Sequence, residues 1–153
     1  MTTTYPEATD AIMGMFYEEW TANTTAIVGY VPEVRWQNVE EPGTPDSSKY
    51  FARITMQPVD EYQSTFRNGE NGQRYTAQGL IFVQLFAPKS ESQAAEELRN
   101  LAQMVKAIFR GHTDADNIWF RRSRINEVAP NTTDNEKFYQ TNVVAEYRYD
   151  EIG

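Results

Sequence analysis

Residues Arg74–Gly111 read RYTAQGLIFVQLFAPKSESQAAEELRNLAQMVKAIFRG. Tyr75–Phe86 is a strand rich in β-branched and aromatic residues, and Leu80–Phe86 is almost continuously apolar apart from Gln84, as expected of a strand covered on both faces. Ala87-Pro88 ends it, because proline has no N–H for a sheet ladder. A helix follows, with Ser90 or Ser92 as its N-cap and Glu96 and Glu97 early, where the helix dipole favours anions. Leu98, Leu101, Ala102, Val105, Ile108 and Phe109 recur every three or four residues and make one apolar face. Arg110 and Gly111 are expected as last-turn cation and C′ glycine. Nothing in this block is catalytic; it is scaffold.

Upstream, Lys49–Pro58 alternates, with Tyr50, Ala52, Ile54 and Met56 on one face and Phe51, Arg53, Thr55 and Gln57 on the other. Between the two strands, Val59–Gln73 is polar and ends in Asn68-Gly69-Glu70-Asn71-Gly72, which predicts a hairpin tip or mobile loop. The chain starts with a helix over Pro6–Trp20, with Thr4 as N-cap, proline in the first turn and a stripe of Ala8, Ile12, Met15, Phe16 and Trp20. Gly14 interrupts that stripe and is expected to mark close packing against another backbone. Ala26–Val31 is a short apolar run, read as a strand or a lead-in segment, and Val34-Arg35-Trp36 is a β-like step before a turn-rich loop at Gln37–Ser48. Downstream, His112–Asn117 reads as a turn, Ile118–Val128 as a strand, Ala129–Lys137 as a loop and Phe138–Tyr149 as the last strand. The expected fold is α+β: an antiparallel sheet of mixed strand lengths with two helices packed on it, in the order α-β-β-β-α-β-β.

The length of 153 residues predicts one domain with a substantial core. Without cysteine, no disulfide, thiolate metal site or thiol nucleophile exists. A net charge of −8 disfavours non-specific binding to a phosphate backbone. No apolar run is long enough to span a membrane. The N-terminus lacks the basic and apolar regions of a signal peptide, which predicts a chain made in the cytoplasm.

Candidates for chemistry are few. His112-Thr113-Asp114-Ala115-Asp116 supplies one imidazole and two carboxylates in a turn, short of a converging metal site. The pairs Glu18-Glu19, Glu40-Glu41, Glu96-Glu97 and Asp150-Glu151 are sequence neighbours, whose side chains diverge; they read as solvated faces. There is no phosphate-cradling loop and no serine nucleophile elbow. The expectation is a protein without catalytic residues, metal or cofactor. The sharpest charged feature is Arg121-Arg122-Ser123-Arg124, where a strand places Arg122 and Arg124 on one face and Arg121 on the other. Arg67 and Arg74 flank the glycine-rich tip. These five arginines are the candidate subunit or partner interface, set against a reading as surface ion pairs with Glu127 or Glu146. Aromatic residues on both faces of several strands call for helices or a second subunit to cover them, and a basic strip on an acidic subunit suits head-to-tail closure.

The order of elements and several phrases resemble the tail terminator proteins of long-tailed bacteriophages, the lambda-like group and its DUF4128 relatives. The phrases are the helix Tyr5–Trp20; Val34-Arg35-Trp36-Gln37-Asn38 leading to Glu41-Pro42-Gly43-Thr44-Pro45; Tyr50-Phe51-Ala52-Arg53-Ile54; Arg74–Leu80 running on to Val83–Pro88; Ala94–Gly111; and Phe138–Tyr149. The resemblance covers most of the chain. It implies a virion protein that forms a homohexameric ring, caps the tail tube, ends tube polymerisation and offers a surface to head-completion proteins, while DNA passes through. It implies no enzymatic activity, no cofactor and no membrane, and it transfers no site residue. The alternatives are another head–tail connector, neck or minor tube protein, then a small-molecule-binding domain; a nucleic-acid-contacting module is disfavoured by the charge.

Overall fold

A computed structural model describes residues 3–39, 43, 45–64, 73–113, 118–127 and 138–152, the side chains of 111–113 and 152 excepted. Helix α1 spans Tyr5–Asn23, with the Thr4 hydroxyl accepting from the Glu7 N–H at 3.5 Å. It buries Ala8, Ile12, Phe16 and Trp20 at the predicted spacing. Gly14 instead lies on the exposed side, where an added Cβ would meet nothing within 4 Å, so it does not mark close packing. Gly14→Ala is therefore expected to stabilise the protein by about 1 kcal/mol, by removing glycine's helical entropy cost. A rise in the midpoint of urea unfolding checks it.

The run Ala26–Val31 forms no strand. A one-turn helix, α2 (Thr25–Val28), closes on Gly29 in the left-handed region, whose N–H bonds the Thr25 carbonyl. Thr24 joins the two helices, its hydroxyl donating to the Trp20 carbonyl at 2.7 Å. Strand β1 (Glu33–Trp36) then pairs parallel to β2 (Phe51–Gln63), which makes the sheet mixed.

Strand β2 runs past Pro58 to Gln63, so Val59–Gln63 belongs to the sheet and not to the expected loop; residues 65–72 of that loop lie outside the described residues. A bulge between Pro58 and Asp60 carries the strand through the proline. Strand β3 (Arg74–Pro88) keeps Pro88 as its last paired residue. Helix α3 (Ala94–Ile108) buries Ala94, Leu98, Leu101, Ala102 and Val105. Neither Ser90 nor Ser92 caps it; Gln93 stands at the cap without a side-chain bond. Lys106, not Arg110, is the basic residue of the last turn. Gly111 is no C′ glycine, because it opens strand β4 (Gly111–Thr113), where a turn was expected. Strands β5 (Ile118–Glu127) and β6 (Phe138–Ile152) complete a six-stranded sheet in the order β1-β2-β3-β6-β5-β4. The fold is α+β, as the sequence predicts, with one short helix and one edge strand more than expected.

The described helices share one face of the sheet. Ile54, Val83 and Val143 are register partners across the middle strands, as are Met56, Ile81 and Ala145. All six are buried, in the same core as α1 and α3. Two polar ties fasten the margins of this layer. The Tyr50 hydroxyl donates to the Glu97 carboxylate in the first turn of α3, and the Trp20 indole N–H donates to the Pro32 carbonyl at 2.9 Å.

Candidate assembly interface

The opposite face carries the even-numbered residues of β3 and β6, and no described helix packs on it. Its apolar residues run from one corner inward to the register partners Phe82 and Val144, the latter buried. Phe51 and Phe86 stack at 4.4 Å and 5°, and Phe138 stands edge-on to both, the three buried as a separate cluster. Arg53 lies over the Phe86 ring at 5.9 Å. Toward the far end the face turns polar and charged.

That charged end is shaped by a second bulge, between Arg121 and Arg124. Before it, Ile118 and Phe120 point into the helix-side core; after it, Ile125 packs there and Ser123 donates to the Lys106 carbonyl of α3 at 2.8 Å. Inward-pointing positions therefore change parity within β5, and the simple alternation that set Arg121 opposite Arg122 and Arg124 fails. Arg122 takes the bulge position at a φ of 53°. All three arginines turn to Glu146 of β6, with N–O distances of 3.4, 3.7 and 4.0 Å for Arg121, Arg122 and Arg124. Arg121 also donates to the Gln78 amide oxygen at 3.3 Å. One carboxylate thus serves three guanidinium groups, whose side chains remain 59%, 72% and 48% exposed. Arg148, on the same face, lies over the Trp119 ring at 5.6 Å, and these two with Phe120 and Arg121 line a cleft of about 380 Å³.

The other predicted arginines do not join this fan. Arg74 opens β3 opposite Ile152, six residues along β6 from Glu146 or about 20 Å at strand rise, and its Nε donates to Ser64 at 3.0 Å. Arg67 lies outside the described residues.

Sequence reasoning missed the opposite margin. Asp60 and Glu61, assigned to a loop, sit exposed on β2. Neither has an ion-pair partner among the described residues. With Tyr5, Val59, Tyr147 and Tyr149 they line a cleft of about 310 Å³. Val59 and Tyr62 flank them as exposed apolar side chains.

Burial raises three phenols. Tyr149 is pushed up to about 12, chiefly by burial and then by the charges of Glu61 and Glu151; Tyr147 and Tyr50 rise for the same first reason, Tyr50 also through its bond to Glu97. In the unfolded chain these groups ionise near 10.0 while the folded ones stay protonated. The stability they contribute is then complete below that value and drains away as pH climbs toward 12. The melting temperature is expected to hold from neutral pH to about 10 and fall beyond it, less steeply in Tyr149→Phe. No group of three or more histidine, aspartate or glutamate side chains is placed to hold a metal among the described residues.

No family model matches this sequence, and no curated protein does. A solved chain that carries a sequence identifier in place of a functional name aligns over 92% of this protein and 94% of its own length, with a TM-score of 0.57 and 19% identity. At that identity the likeness is one of fold, and function has to be argued from the site. A chain from the virion of a native gene transfer agent particle aligns over 88% of this protein and 91% of its own, with a TM-score of 0.43 and 14% identity, a likeness too loose to carry an argument.

Proposed function

We propose that the chain is a structural virion protein of a tailed phage or phage-like particle, working as a ring that caps the tail tube, ends its polymerisation and forms the surface for head–tail joining. The observation that carries this reading is the arginine fan around Glu146, whose side chains stay largely exposed on a sheet face that no described helix covers. Such a face suits contact with other protein surfaces, and the phrases shared with tail terminators point to the same role. Function would then rest on shape: one ring face matches the tube, and the other does not, so growth stops. The partners are further copies of the chain (six in the proposed ring), the tube protein and the head-completion proteins, with DNA passing through. The proposed role is structural and calls for no catalysis or cofactor.

The test is the mass of the purified protein across concentration by light scattering, with negative-stain images of the same sample, alone and with tail tubes. Closed rings, in solution or seated on tube ends, are expected. Open filaments would instead identify a tube protein. A monomer that ignores tubes would overturn the assembly reading.

A further inference from the structure

The two charged clefts lie on opposite margins of one sheet. The arginine fan is on β5, Asp60 and Glu61 are on β2, and β6 and β3 separate them. Three strand spacings put the margins about 15 Å apart. Arg121 reaches inward as far as Gln78 of β3, the register partner of Asp60, yet no ion pair joins the two clusters among the described residues. Local charge is unbalanced at each: three arginines and Arg148 against Glu146 on one side, two carboxylates with no ion-pair partner among the described residues on the other. The linings match as well. The β5 cleft offers guanidinium groups beside Trp119, suited to carboxylates, whereas the β2 cleft offers carboxylates beside tyrosine rings, suited to guanidinium groups.

We infer that the β5 arginine fan of one copy docks on the Asp60–Glu61 margin of the next, making a head-to-tail contact between identical chains. The occupant is a second copy because the missing charges of each margin stand on the other. A contact that joins two different patches propagates around a ring if the rotation between copies closes. The margins are also protected against uncontrolled growth. Among the described residues β1 pairs only with Phe51–Ile54 and β4 only with Ile118–Phe120, so the outer edges of β2 beyond Ile54 and of β5 beyond Phe120 have no strand partner there, although the Met56 N–H donates to the Gln37 side chain. Each open stretch carries a bulge, and β2 carries Pro58 as well, features that disfavour unlimited strand addition. Contact through side chains is left as the specific mode.

This inference rests on the ring reading, and charge reversal separates the two. Arg121→Glu/Arg122→Glu and Asp60→Lys/Glu61→Lys are made separately, with melting curves to verify folding. Each alone is expected to self-associate at least about 30-fold more weakly than the parent protein, because it sets like charges face to face. Mixed in equal amounts, they are expected to recover assembly, since the reversed fan then meets the reversed margin. Parent protein that forms rings while both variants form them equally well, or variants that stay apart when mixed, would overturn this contact and leave the ring reading standing. Parent protein that remains monomeric at millimolar concentration and on tail tubes would overturn both.

Discussion

Trp20→Ala is expected to lower the stability of the protein by about 4 kcal/mol, a large part of the 5–15 kcal/mol that holds a domain of ordinary stability together. Trp20 has no solvent exposure and lies at the end of α1, against the sheet. Its ring stacks on Phe16 at 5.4 Å, and Phe16 in turn stacks on Phe109 at 6.2 Å, just beyond α3. This aromatic column is what joins the two long helices, so truncation opens a cavity where three elements meet. The loss has a polar part too: the indole N–H is the donor to the Pro32 carbonyl, which fixes the chain as it enters β1. Trp20→Phe keeps the stack and removes the donor, and is expected to cost about 1–3 kcal/mol. Urea unfolding of the two variants separates packing from the hydrogen bond. Equal losses in both would mean that the Pro32 bond, not the ring, dominates.

The column was legible in the sequence because helix period and apolar residues agreed: Ile12, Phe16 and Trp20 are one turn apart, and α3 showed the same regularity. The long strands were legible for a parallel reason, an unbroken alternation over Tyr50–Met56 and the apolar run Leu80–Phe86. What failed did so where the backbone departs from its period. At Pro58/Asp60 and at Arg121/Arg124, an extra residue shifts the pleat, and no side-chain pattern announces which residue will be extra. The first bulge hid Asp60 and Glu61 inside an apparent loop. The second hid the convergence of three arginines on one glutamate. Ala26–Val31 failed differently: so short an apolar run suits a strand or a helical turn equally, and Gly29, by closing the turn in the left-handed region, decided for the turn. The candidate interface was therefore half visible, its basic half by composition and its acidic half only once the strands were paired.

Gly79→Ala is expected to cost about 3 kcal/mol, the upper range for forcing one methyl group into a packed layer. Gly79 sits in mid-strand opposite Pro58 on one side and Tyr147 on the other. A Cβ there would run into the Gln57 carbonyl oxygen and the phenol end of Tyr147, so the ring lies directly over the glycine. The absent side chain is what lets Tyr147 lie flat and stack on Tyr149 at 6.2 Å, next to the bulge that presents Asp60 and Glu61. The carbonyl cannot move without disturbing the β2–β3 ladder, whereas the ring can swing out into the neighbouring cleft. Part of the cost should therefore be relieved when Tyr147 is also truncated. In a double-mutant cycle, Tyr147→Ala is expected to destabilise the Gly79→Ala background by about 1–2 kcal/mol less than the parent, with the remainder belonging to the Gln57 carbonyl. Additive losses would mean that the ring does not rest on Gly79. If they couple, the same glycine that lowers strand propensity in isolation is the residue that shapes the acidic margin, and Gly79→Ala should weaken assembly as well as folding.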